Sequence, residues 1–237
     1  MAYVGTTQPQ SVTGRTVQEM VKNPQMRLVI ESGNNAFEPP VKDEIKLERE
    51  RVGAPAKLTF TTVKIGAGAT TPMGFNEGDR VTLYWNNAPV FIGYVFTKKR
   101  DKEHHIEVTC YDQLRYLKNK FSYVFVNQTA TQILKQLCTD FGLQTGTLED
   151  TKYVIPVISE ENAEAFDIIL TALDETLANT GNMFVIYDKA GKIELKNCAS
   201  LTCDTIIASD TAENFDYSTS IDEETYNSVV LYYNPNE

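Results

Sequence analysis

Val81-Thr-Leu-Tyr-Trp85, the pair Asn86-Asn87, and Val90-Phe-Ile-Gly-Tyr-Val-Phe96 form the passage on which the fold turns. Two runs rich in β-branched and aromatic residues flank two asparagines, which tolerate the backbone of a tight reversal, so the passage predicts a β-hairpin. Upstream, Met26 to Glu31 is a short apolar run, and Asn34-Asn35 and Pro39-Pro40 punctuate the chain beyond it. Lys42 to Arg51 places Ile45 and Leu47 on one face, and Leu58 to Val63 repeats the two-residue period. The Gly-rich stretch Gly66 to Gly78 reads as a loop and Lys98 to Glu103 as a turn. Ile106 to Tyr111 alternates again. Short strands at this spacing predict a small barrel or sandwich over residues 26–118.

After Tyr111 the period changes. Asp112 to Lys118 fits a short helix capped by Asp112. Thr129 caps a second helix, in which Ile133, Leu134, Leu137, Cys138 and Phe141 form one stripe and Gly142 is the stop. A third starts near Asn162, carries Phe166, Ile169, Leu170, Leu173 and Leu177, and ends at Gly181. Both are one-sided, and the hairpin Met183 to Leu195, reversing at Asp188 to Gly191, is the surface expected to cover them. Residues 119–200 thus read as an α+β unit with two helices on a small sheet. Residues 1–25 read as an arm, flexible unless a neighbour captures it. Asn227 to Tyr233 is a strand that needs a partner elsewhere.

The 237 residues carry 22 Lys and Arg against 32 Asp and Glu, a formal charge of -10. That balance argues against specific nucleic-acid binding, which draws affinity from clustered cations. No apolar run is long enough for a membrane anchor, and the N-terminus lacks the charged and apolar regions of a secretion signal, which places synthesis in the cytoplasm.

Candidate chemistry is sparse. Cys110, Cys138, Cys198 and Cys203 form no C-x-x-C pair and read as buried thiols rather than metal ligands. His104 and His105 are adjacent; on an extended chain they point to opposite faces and cannot share a metal. Ile65 to Ala69 has two glycines at dinucleotide-loop spacing but no third, so it reads as a loop. The pairs Glu149-Asp150 and Glu160-Glu161 and the run Asp222-Glu223-Glu224 read as surface charge, and Lys98 to Lys102 as a solvated basic turn. No catalytic, cofactor-binding or metal-binding residue is assigned, and no cofactor is expected.

Several segments together carry a resemblance. Val90 to Asp101, Ile106 to Lys120, Asn127-Gln-Thr-Ala130, Asp140-Phe-Gly-Leu143, Phe166 to Leu173, Phe184 to Lys192, Asn214-Phe-Asp-Tyr-Ser and Tyr226-Asn-Ser-Val are similar, in this order, to the XkdQ/YqbQ family of prophage tail proteins. The resemblance covers about Met26 to Tyr233. It implies a tube-like antiparallel β-barrel domain with an inserted small α+β domain, and a second tube-like domain beginning in residues 201–237 and incomplete there, since family members continue further. It also implies a virion baseplate hub of contractile-tailed phages, assembled in the host cytoplasm. Its partners would be copies of itself in a trimer, the tail tube protein, the spike protein and other baseplate proteins. A tail-associated peptidoglycan hydrolase and a host-surface adhesin are the alternatives.

Overall fold

The computed structural model describes residues 25–50, 54–63, 74–202 and 228. Residues 1–24 of the expected N-terminal arm, the loop at Ile65 to Ala69, Cys203, Asp222-Glu223-Glu224 and, apart from Ser228, the strand Asn227 to Tyr233 lie outside them. Residues to Leu201 belong to one compact unit, and those from Thr202 to a second.

The hairpin is formed by β5 (Arg80–Trp85) and β6 (Ala88–Arg100). Asn86 and Asn87 both take positive φ, 48° and 66°, the backbone this reversal requires. Five further strands extend it: β1 (Met26–Ser32), β2 (Asn35–Phe37), β3 (Val41–Glu48), β4 (Lys57–Val63) and β7 (His105–Tyr111). The sheet order is β2-β1-β5-β6-β7-β4-β3, antiparallel at every step.

That order dictates the shape. β2 and β3 occupy opposite ends of the sheet, yet only Glu38-Pro39-Pro40 separates them in sequence. Seven flat strands at about 4.8 Å spacing would hold the ends roughly 29 Å apart. The link from Phe37 to Val41 spans at most about 15 Å. The sheet must therefore curl, and it forms a half-closed barrel. β2 and β3 run in the same direction, so they are two halves of one bent strand: the first pairs with β1, the second with β4. Pro39 and Pro40 have no N–H to donate, which ends the β1–β2 ladder at Phe37. A bulge between Lys42 and Ile45, with Asp43 at φ 64°, bends the second half. The barrel read from the sequence is thus present with its seam open.

The concave side is filled. Leu28, Ile30, Phe60, Val81, Phe91 and Val108 are among the side chains packed there. Gly93 sits against Phe91, and a methyl group on it would collide with the Phe91 ring and the Tyr111 carbonyl. This barrel is a packed core, not a pore.

The chain then passes through a 3-10 turn, Gln113–Lys118, capped as expected by Asp112, whose Oδ1 accepts from the Leu114 N–H. Next comes a long antiparallel ribbon that the sequence reading lacks: β8 (Lys120–Thr129) paired with β10 (Val154–Glu164). Helix α1 (Ala130–Asp140) starts at Thr129 with a reciprocal capping box to Gln132, and Gly142, φ 66°, follows its last turn. Helix α2 (Ala165–Thr180) begins three residues later than expected. Asn162 is not its cap; it lies in a bulge of β10 at φ 53°. β11 (Phe184–Asp188) and β12 (Ile193–Asn197) form the expected hairpin, and β9 (Thr145–Leu148) joins it in parallel. The surface that covers the helices is larger than the hairpin alone, because Phe125, Ile155 and Ile158 of the ribbon share their core with Ile186, Ile193 and Leu195.

Candidate functional site

The richest chemistry lies where the curled sheet meets the helical part. Tyr94, Phe96 and Tyr111 stand on the convex side of β6 and β7, and Tyr116 of the 3-10 turn packs edge-on or tilted against Tyr94 and Phe96 at 6.3 Å. Arg115 lies over the rings of Phe96 and Tyr111. Gly191, in the β11–β12 turn, is pressed against Ile92 of β6, and a side chain there would touch it.

Beneath this contact two carboxylates are buried together. Asp112 is 1% exposed and accepts from the backbone N–H of Ala56 and of Leu114, each at 3.0 Å. Asp188 is 5% exposed and accepts from the Gly191 N–H at 2.7 Å and the Gln113 side-chain amide at 2.9 Å. Burial, and then the negative charge of Asp188, push the Asp112 carboxyl up to about 7. Burial also raises Asp188. Arg49 is the nearby cation that moderates both, and its guanidinium donates to the Val90 carbonyl. Asp112, Asp188, Arg49, Glu50 and Tyr187 line a cavity of about 30 Å³. That space admits a water molecule or two and excludes a sugar ring, so the pair has no room for glycan hydrolysis.

The histidines go to different partners, as their adjacency suggests. His104 is in the turn at φ 67° with its ring against Arg100. His105 opens β7; its Nδ1 meets Asp101 at 2.9 Å and Glu103 at 3.6 Å. Asp101, Glu103 and His105 therefore offer three potential ligand atoms within 4.8 Å of one another, a grouping missed in the sequence because the turn creates it. Lys42 Nζ stands 3.4 Å from His105 Nε2 and sets a positive charge beside the group.

Lys98 is not part of a solvated turn. β6 runs on to Arg100, and a bulge at Phe96 turns Lys98 inward, where it donates to the Phe75 carbonyl at 2.7 Å and lies over the Phe75 ring. Glu149 is likewise more than surface charge. It accepts from the Asn197 N–H at 2.8 Å and pairs with Lys196 at 3.1 Å, tying the end of β9 to β12, and those donors hold its carboxyl below the usual range. Cys110 and Cys138 are buried free thiols pushed up to about 12 by desolvation, which leaves them unreactive, whereas Cys198 is partly exposed.

Among the described residues, exposed valines gather on the ribbon. Val124, Val126, Val154 and Val157 are 66%, 56%, 51% and 58% exposed, with Val126 directly opposite Val157. The same strands bury Phe125, Ile155 and Ile158.

These features sit in a known lineage, since the family model described as YQBQ-like matches residues 45–237. The chain belongs to the YQBQ-like family. Over 188 residues it is 34% identical to the uncharacterized protein YqbQ of Bacillus subtilis (strain 168), covering 77% of this chain and 56% of that protein. Over 158 residues it is 35% identical to the phage-like element PBSX protein XkdQ of the same organism, covering 66% of this chain and 48% of that one. This YQBQ-like chain thus spans about half the length of the curated relatives it matches. The 43 kDa tail protein of prophage MuSo2 from Shewanella oneidensis has a similar fold, with a TM-score of 0.58 at 17% identity over 73% of this chain and 53% of that one.

Proposed function

We propose that this YQBQ-like chain is a structural, non-enzymatic component of a phage or prophage tail, a baseplate hub protein that joins the tail tube to the spike. The observation that carries the reading is the curled antiparallel sheet in a chain whose relatives include a phage-like element protein and whose fold is shared with a prophage tail protein. Residues 119–200 are then an α+β insertion on the convex side of a tube-like barrel, and residues 201–237 the start of a second such barrel. The partners are further copies of the chain, in a trimer, with the tube, spike and neighbouring baseplate proteins.

Three physical features favour a scaffold. The concave face of the sheet is packed with side chains, so a passage for DNA would run between subunits rather than through one. The exposed valines of the ribbon offer a dry contact of the kind found at protein interfaces. An excess of carboxylates would let DNA pass without adhering.

The test is to induce particles carrying a tagged copy of the chain, purify the tails and locate the tag by immunogold microscopy, with a cell-wall zymogram of the purified chain alongside. Label at the spike end of the tail and an inert zymogram support the proposal. A chain absent from purified tails, or one that clears the wall, overturns it.

A further inference from the structure

A cleft of about 310 Å³ separates the convex side of β5 and β6 from the β11–β12 turn, and Arg80, Tyr94, Gln113, Gln144, Gly191 and Lys192 are among its lining residues. We propose that this cleft binds an acidic peptide segment of another protein chain, with Arg80 and Lys192 each receiving a carboxylate.

In a chain with ten excess negative charges, the cleft lining contains two cations from distant parts of the sequence and no carboxylate. Bringing like charges to one cleft is unfavourable unless an anion lies between them. Among the described residues Arg80 has one ion pair, to Glu31 at 3.4 Å with both side chains nearly half exposed, and most of its five N–H donors have no partner among those residues. Lys192 has no ion-pair partner among the described residues.

Phosphate sites are commonly built from converging backbone N–H groups. Here the Gly191 N–H donates to Asp188, the Lys192 N–H to the Lys189 carbonyl and the Lys189 N–H to the Lys192 carbonyl, so the turn presents no converging set of N–H groups to the cleft. What remains is one point charge on each wall, with Ile92 and Tyr94 between, which suits carboxylates spaced along an extended chain. The floor is rigid, because Gln113 donates to the Gln144 carbonyl at 3.1 Å and accepts from the Gln144 N–H at 3.0 Å. The volume fits a few residues of such a chain and far exceeds a lone phosphate.

The proposal does not depend on the tail assignment. The experiment is a titration of the full chain with end-capped tri-glutamate, capped tri-glutamine and inorganic phosphate at constant ionic strength, following the side-chain amide NMR signals of Gln113 and Gln144. Saturable shifts with tri-glutamate alone, weakened several-fold in Arg80→Gln and in Lys192→Gln while the rest of each spectrum is kept, support the cleft as an acidic-peptide site. Equal shifts with tri-glutamine, shifts with phosphate but not tri-glutamate, or undiminished binding in the double variant overturn it.

Discussion

Asp112 makes stability depend on pH in a direction opposite to that of a salt-bridged carboxylate. Its folded pKa, about 7, lies above the ordinary value of an unfolded aspartate, so the folded state holds the proton more tightly. Its contribution is neutral below the unfolded pKa, becomes unfavourable as pH rises, and reaches its full size above pH 7, on the order of a few kcal/mol. Asp188, also raised, acts in the same sense. The melting temperature is expected to fall between pH 5 and pH 8. Asp112→Asn, which removes the titration together with one of two backbone hydrogen bonds, should give a flatter profile over that range by differential scanning calorimetry. A profile as steep as the parent's would remove Asp112 as the cause. Gly93 provides a test that does not involve charge. Gly93→Ala drives a methyl group into the Phe91 ring and the Tyr111 carbonyl, and urea denaturation should show a loss of about 1–3 kcal/mol, the usual range for overpacking.

Helix α1 depends on its first residue. Thr129→Ala removes the hydroxyl that accepts from the Gln132 N–H, and equilibrium unfolding should register a loss of about 1 kcal/mol. That helix is legible in the sequence because cap, stripe and stop are all local signals. The ribbon beside it is not. β8 and β10 are apolar on both faces, Val124 and Val126 outside against Phe125 inside, which erases the two-residue period. Residues at positive φ, Asn127 in β8 and Asn162 in β10, interrupt it further. Asp112 is recognisable as a cap and Asp188 as a turn residue, but their meeting in one cavity is a tertiary event to which neither neighbourhood points. Lys98 escapes a local reading for the same reason, since only the bulge at Phe96 turns it inward. If the outer valines serve contact rather than folding, Val126→Thr with Val157→Thr keeps β-branched shape and should change stability by less than about 0.5 kcal/mol. The double variant should, however, lose incorporation into tails. A marked loss of stability would instead make this face part of the fold.

For the molecule as a whole, the proposed hub role requires self-association or capture by a neighbour. Light scattering of the chain mixed with the spike protein of the same phage or prophage should return a three-to-three complex, and a persistent monomer beside free spike would count against the trimeric hub. The split strand at Pro39-Pro40 bears on the order in which this shape can be made during synthesis. β1 to β4 leave the ribosome before β5 to β7, yet β1 needs β5 and β4 needs β7. β1–β2 and β3–β4 can form as separate local hairpins, but the two ends of the sheet are drawn together only after Tyr111 has been made. Contacts this far apart in sequence form slowly because the chain entropy of closing the loop is lost before any pairing is gained. Strand β1, although translated before β5, is therefore among the last committed to the full sheet, and for that interval the nascent chain exposes unpaired strand edges that a chaperone could shield.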